Sequence, residues 1–202
     1  MVDIMLIFMI SRVQGGQMFF VDGGAWRGDT IEAWTKRFGD AIAKIWAFEP
    51  DEAIAADLHA VISRLGMESR VEVITNGLYD KNVLLRFKKT DEMIEISEEG
   101  DRQVRVQKLD DVLPHIQGDL YIKMDLEGSE IAALRGAKKT IKKYHPIMAI
   151  CTYHRMEDIL HIPQYIRSIV QGYRFYLRAG FHTECYAVPA EYTRLVCRKK
   201  VL

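Results

Sequence analysis

The stretch from Met18 to Thr30 constrains the chain more than any other. Four apolar residues, Met18 to Val21, run into Asp22; Gly23, Gly24 and Gly28 follow, and an amphipathic segment begins near Asp29. That is the pattern of a strand, a tight turn and a helix N-terminus. Glycine takes up backbone angles that other residues resist and lets a ligand approach the main chain. A helix N-terminus adds unpaired N–H groups and the positive end of a dipole, so such a turn suits a nucleotide-like ligand. The glycines read G-G-x-x-x-G, not the dinucleotide G-x-G-x-x-G. With Asp22 in front, the pattern is Asp-x-Gly-x-x-x-Gly, followed by an acid, Glu49, at the end of the next strand. Taken alone, the turn serves equally well as an ordinary strand-to-helix connection.

Downstream of this turn the same unit repeats. Ile31, Trp34 and Phe38 recur at helical spacing, with Glu32 placed to complete a capping box from Asp29, and Gly39 stops the helix. Ile42–Phe48 reads as a second strand, Asp51 caps a helix running to about Leu65, and Val71–Thr75 is a third strand ending at Asn76-Gly77. This β-α-β-α-β order predicts a parallel sheet with right-handed crossovers. Between Asn82 and Lys108, the segments Val83–Phe87, Met93–Ile96 and Val104–Val106 predict a small antiparallel insertion or edge hairpin. Asp110 or Asp111 is placed to cap a short helix. Leu120–Met124 delivers Asp125, and a helix with the stripe Ile131, Leu134, Ala137 and Ile141 runs to about Lys143. Ile147–Cys151 is the next strand. Two helical pieces divided at Pro163 follow, then strands at Tyr173–Arg178, Glu184–Val188 and Thr193–Arg198.

The 202 residues suffice for one α/β domain spanning 1–202. Lys and Arg number 28, Asp and Glu 28, so formal net charge is zero; that argues against a nucleic-acid partner bound by bulk electrostatics. Cys151, Cys185 and Cys197 are widely spaced without a C-x-x-C, which fits a reducing cytoplasm. The apolar Met1–Ile10 is shorter than the about 20 residues a bilayer span needs, and Asp3 argues against a secretory signal. No membrane partner is expected. The segment reads as a helix or strand packed on the domain, or the stub of a longer N-terminal region.

In open α/β sheets ligands bind beyond the carboxyl ends of the strands. Those ends present Asp22 with its glycines, Glu49, Asn76, Asp125 with Glu127, and Tyr153-His154. Glu49 is placed to accept hydrogen bonds from both hydroxyls of a ribose, or to cap a helix. Lys123 alternates with Asp125 on a strand buried on both faces, where a charge needs a partner, so a Lys123–carboxylate ion pair is expected. Asp125 is suited to an ammonium or a substrate hydroxyl. Asp125 and Glu127 amount to half of a hard-cation site, but no third and fourth oxygen ligand stands out, and no metal is expected. His154 is the best general-base candidate or, equally, a structural histidine.

These residues together resemble a known family. Val21-Asp22-Gly23-Gly24-Ala25-Trp26-Arg27-Gly28-Asp29-Thr30, Phe48-Glu49-Pro50, Leu109-Asp110-Asp111, and Ile122-Lys123-Met124-Asp125-Leu126-Glu127-Gly128-Ser129-Glu130 with Leu134-Arg135-Gly136-Ala137 look like FkbM-type methyltransferases. The resemblance implies a Rossmann-like class I methyltransferase fold: a three-layer sandwich around a mostly parallel seven-stranded sheet of order 3-2-1-4-5-7-6, with an antiparallel terminal hairpin and a small β insertion. It implies S-adenosylmethionine as cofactor and methyl transfer to a hydroxyl of a small molecule or sugar. By position, Asp22, Gly23, Gly24, Ala25, Gly28 and Thr30 would line the cofactor. Glu49 and Pro50 would meet its ribose, Asn76 and Gly77 its adenine, and Asp125 would lie by the methyl group. Lys123, Asp125 and His154 are the catalytic candidates. Glu127, Tyr153, His154, Arg178 and Glu184 are the substrate-binding ones. A homodimer is possible on this reading. The alternatives are an NAD-dependent oxidoreductase, which shares Glu49 but not the glycine spacing, and a non-catalytic module that keeps the cofactor pocket.

Overall fold

A computed structural model describes residues 16–89, 94–96, 99–100, 102–178 and 183–192. Expectations for Met1–Ile10, Met93 and Thr193–Arg198 lie outside these residues. In chain order the elements are β1 (Met18–Gly23), α1 (Asp29–Phe38), β2 (Ile42–Phe48), α2 (Glu52–Arg64), β3 (Val71–Ile74), β4 (Gly77–Leu78), β5 (Val83–Lys89), β6 (Ile94–Ile96), β7 (Arg102–Gln107), β8 (Asp119–Met124), α3 (Glu130–Gly136), α4 (Lys138–Tyr144), β9 (Ile147–Cys151), α5 (Asp158–Ile169), β10 (Tyr173–Arg178) and β11 (Glu184–Pro189).

Seven strands form the main sheet in the order β3-β2-β1-β8-β9-β11-β10. Counted among themselves along the chain, they run 3-2-1-4-5-7-6, as the resemblance implies. The first five are parallel; β11 runs antiparallel to β9 and to β10. The predicted insertion is a separate four-stranded sheet, β4-β7-β5-β6. Arg102 ties it to the main layer through an ion pair with Asp51.

Strand alternation divides the core in two. Phe20 points to one face, where it meets Trp34 at 4.4 Å and Tyr121 at 5.1 Å between ring centroids. Ile31, Phe38, Leu58 and Ile62 from α1 and α2 complete that layer. Val21 points to the other face, under Leu134, Ile141, Ile162 and Ile166 from α3, α4 and α5. Each such side chain taken out of water contributes about 1.5–3 kcal/mol. The three-layer arrangement follows from these two apolar faces.

Four local expectations are corrected. The Asp29–Glu32 capping box does not form: Gly28, in the left-handed region at φ 83°, is the N-cap, so Asp29 is already helical. Glu32 pairs instead with Lys36 and Arg64. The single helix expected to reach Lys143 is two, broken at Ala137. Asp110 does cap a helix, but not one beside it: its carboxylate accepts from the Lys139 and Thr140 amides at the start of α4, at 2.9 and 2.8 Å. Pro163 does not divide α5, which runs through it because Ile162 and Ile166 on the buried face hold the helix to the sheet. The expected Asp51 cap is present, accepting from Ala53 and Ile54 at 3.0 and 3.3 Å.

Candidate active site

Register brings the strand ends to one level. Gly23 of β1 lies opposite Phe48 of β2 and Met124 of β8, so Asp22, Glu49 and Asp125 meet at one edge of the sheet. The glycine turn is held from both sides. Gly24 and Ala25 donate to Phe48 O, each at 3.0 Å, and Asp125 N donates to Gly23 O at 3.0 Å. At Gly24, with φ +72°, a Cβ would stand 2.0 Å from Asp125 O, so glycine is required there on both counts.

Glu49 fastens the far end of the turn. Its Oε2 accepts from Trp26 N at 2.9 Å and its Oε1 from Asp51 N at 3.0 Å. Burial pushes this carboxyl up, and the two amides oppose that. Each oxygen keeps a second lone pair. Pro50 follows, between Glu49 and the Asp51 cap, and Thr30 lies in the first turn of α1. Trp26 is 52% exposed. Its ring lies beneath the Arg27 guanidinium, which pairs with Asp57.

Lys123 is the clasp beneath the turn. Its ammonium lies 3.1 Å from Asp22 Oδ1 and donates to Gly24 O at 2.6 Å. Burial pushes the Asp22 carboxyl up, against the pull of Lys123. Burial also disfavours the ammonium, but Asp22 and Asp125 outweigh it and hold the lysine above its ordinary value. Enclosed and paired in this way, Lys123 joins β8 to the glycine turn. The Asp22 Oδ2 atom is buried without a hydrogen-bond partner.

Asp125, Tyr153, His154 and Glu127 come together beside this turn. Tyr153 donates its hydroxyl to Asp125 Oδ1 at 2.9 Å, and its ring lies 4.0 Å from that of His154. His154 Nε2 is 3.5 Å from Asp125 Oδ1 and 3.4 Å from Glu127 Oε2, and Nδ1 is 2.8 Å from Glu130 Oε1. Burial disfavours the imidazolium, yet the Glu130 bond and the charges of Glu130, Glu127 and Asp125 raise the His154 pKa. A raised folded value means that the imidazolium stabilises fully below the unfolded value of 6.5 and that this contribution fades as pH climbs through the folded value. The stability difference between the wild type and His154→Gln, from urea unfolding, is therefore expected to be largest near about pH 6 and smallest near about pH 9. A difference independent of pH contradicts it.

Glu130 is the residue that sequence reasoning left without a role. It is fully buried, accepts from Leu126 N at 2.8 Å, and holds His154 from the first turn of α3. An acid just after a strand end suits the helix dipole, and that ordinary reading concealed it. Its only sequence signal was its place in the segment Lys123–Glu130.

The remaining candidates make contacts outside this group. Asn76 donates to Gln107 Oε1 at 3.0 Å, and Gly77 pairs with Val106, at the junction with the small sheet. Arg178 and Glu184 face one another across β10 and β11, and Tyr186 donates its hydroxyl to Glu184. Glu184 also pairs in register with Cys151 of β9. Burial, Asp125 and then Glu184 push the Cys151 thiol up, which leaves it an inert neighbour of the site.

The sequence profile described as the methyltransferase FkbM domain matches residues 22–175. A solved structure of methyltransferase FkbM from Methylobacillus flagellatus KT is similar at 28% identity and a TM-score of 0.71, over 85% of this chain and 43% of that one. The chain thus spans less than half the length of that relative. An rRNA methylase from Streptococcus thermophilus shares the fold at 14% identity and a TM-score of 0.58, over 92% and 94% of the two chains. So does a candidate methyltransferase from Streptococcus mutans solved with SAH, at 11% identity and a TM-score of 0.55, over 91% and 96%. No curated protein sequence matches the chain. Among the described residues, no helix is long and apolar enough to cross a membrane.

Proposed function

Since the chain belongs to the FkbM methyltransferase domain family, we propose that it uses S-adenosylmethionine to methylate a hydroxyl of a small molecule or sugar. The observation that carries this reading is the meeting of the Gly24 turn with the Asp125 edge, a nucleoside-type turn abutting a cluster of oxygen ligands. The residues present suit the cofactor. Glu49 is fixed by two amides, with a lone pair left on each oxygen for the ribose hydroxyls. Asp22 keeps an unpartnered buried oxygen beneath the turn. When bound, S-adenosylmethionine supplies a methyl group on a sulfonium, an electrophile that needs alignment more than acid–base help.

The chain's own residues then have separate tasks. Glu49 orients the ribose, and Lys123 keeps the turn closed on β8. Asp125 holds the acceptor hydroxyl and receives its proton. Tyr153 and His154 keep the Asp125 carboxylate in place. His154, held between Glu130 and Asp125, serves as a positioning residue rather than the base. The zero net charge supports a small acceptor over a nucleic acid.

Calorimetry with S-adenosylmethionine tests the reading. The folded wild type is expected to bind, and Glu49→Ala to bind at least about tenfold more weakly, a loss of about 1.4 kcal/mol. Absence of binding by the folded wild type, or unchanged binding by a folded Glu49→Ala, overturns it. Mass spectrometry of a panel of hydroxyl compounds then identifies the acceptor by its added methyl group.

A further inference from the structure

The cluster at the end of β8 carries more negative charge than its own side chains balance. Asp125, Glu127 and Glu130 surround one imidazole, and buried Asp158 feels the charge of Glu130. Against these stand His154 and, beside Gly128 and Asp158, Arg155. Lys123 is already engaged with Asp22. Glu130 and Asp158 are buried while Glu127 is half exposed, and a buried charge is costly unless a cation joins it.

The hydrogen bonds fix which imidazole atom faces the acids. Glu130 Oε1 accepts from the Leu126 amide, a fixed donor, and lies 2.8 Å from His154 Nδ1. Glu130 is therefore the acceptor and Nδ1 carries the proton. Nε2 is left facing Asp125 Oδ1 and Glu127 Oε2. The His154 side chain is only 5% exposed, and Nε2 has no hydrogen-bond partner. Donor atoms of Asp125 and His154 lie within 4.8 Å of one another and of Glu130, and Glu127 Oε2 stands 3.4 Å from Nε2 on the open side.

We propose that Asp125, Glu127 and His154 Nε2 bind a divalent cation, and that Glu130 orients the imidazole from behind. Two ligand atoms, each about 2.1 Å from a shared ion, stand about 3.0–3.4 Å apart. The separations from Nε2, 3.4 and 3.5 Å, come close to this spacing. A carboxylate on the far nitrogen of a ligating histidine fixes its tautomer and raises its basicity. One imidazole nitrogen among carboxylate oxygens favours Mn2+ over Mg2+ or Ca2+. Three protein ligands leave coordination positions for an acceptor oxygen. That role rests on the methyl-transfer reading; the cation site itself does not.

The test is a titration of the chelator-treated protein with Mn2+, following the EPR signal of the free aqua ion. The wild type is expected to deplete it to one ion per chain. His154→Gln and Asp125→Asn are expected to weaken binding at least about tenfold, and Glu130→Gln by about 10–100-fold. Excess Mg2+ is expected to displace Mn2+ only poorly. Absence of depletion by the wild type overturns the site. Equal affinity in the two variants His154→Gln and Asp125→Asn, both shown folded by circular dichroism, overturns it as well. Calorimetry with S-adenosylmethionine on the same metal-free sample reads the cofactor separately. Cofactor binding without Mn2+ binding overturns the cation site and leaves the methyl-transfer reading standing. Mn2+ binding without cofactor binding does the reverse.

Discussion

Replacing Lys123 with methionine is expected to lower the unfolding free energy by about 3–5 kcal/mol, the usual cost of leaving a buried charge without its partner. The stem of the side chain keeps its volume, so the loss reports the ammonium. That ammonium is the ion-pair partner of Asp22 Oδ1 and donates to Gly24 O. Asp22 is fully buried and already pushed up by burial, with Asp29 and Asp125 adding like charge. Without Lys123 the carboxyl must take up a proton or draw in water, and the turn loses its tie to β8. The double variant Asp22→Leu/Lys123→Met removes the orphaned charge and is expected to recover about half of the loss or more. Urea unfolding of the two single variants and the double one measures the coupling. Additive losses would contradict a pair that acts as a unit.

Gly24→Ala is the second large effect. Two penalties coincide at this position. A non-glycine residue at φ +72° costs about 1–2 kcal/mol. The new Cβ would also stand 2.0 Å from Asp125 O, and relieving such a contact in a close-packed site costs about 1–3 kcal/mol more. The backbone has little room to yield, because Gly23 O, Gly24 N and Ala25 N are all bonded to neighbouring strands. Gly66→Ala is the control. Gly66 has a similar positive φ, of 66°, but nothing lies within 4 Å of its Cβ position, so only the strain is expected there. The difference between the two variants in urea unfolding isolates the contact with Asp125. Gly24→Ala is also expected to abolish cofactor binding by prising the turn from the Asp125 edge. Equal stability losses in the two variants would show that the contact costs nothing.

Much of the fold was legible because the chain marks its own boundaries. Gly28, Gly39, Gly66 and the Asp51 cap delimit α1 and α2, and apolar runs mark each strand of the main sheet. The sheet edge that gathers Asp22, Glu49 and Asp125 followed from connection rules alone. What escaped was set by tertiary contact. Alanine is the best helix former, so nothing at Ala137 signals a break. Its neighbour Gly136 lies so close to the chain after β4 that a Cβ there would meet Tyr79 O at 1.9 Å. Pro163 looked like a boundary because its local cost is real, and the packing of Ile162 and Ile166 overrides it. The Asp22–Lys123 pair was legible as a need for a partner, but the partner's identity came from strand register. Glu130 and His154 are 24 residues apart, and no local pattern joins them.

The contact between Gly24 and Asp125 also bears on how such a chain diversifies. The turn and the end of β8 are one mechanical part, since neither backbone can shift without striking or releasing the other. Tyr153 and His154, which leave the sheet just after β9, bind Asp125 and so belong to the same part. A substitution at any point of it is therefore felt at the others, and the turn, the end of β8 and the start of the loop after β9 can change only together.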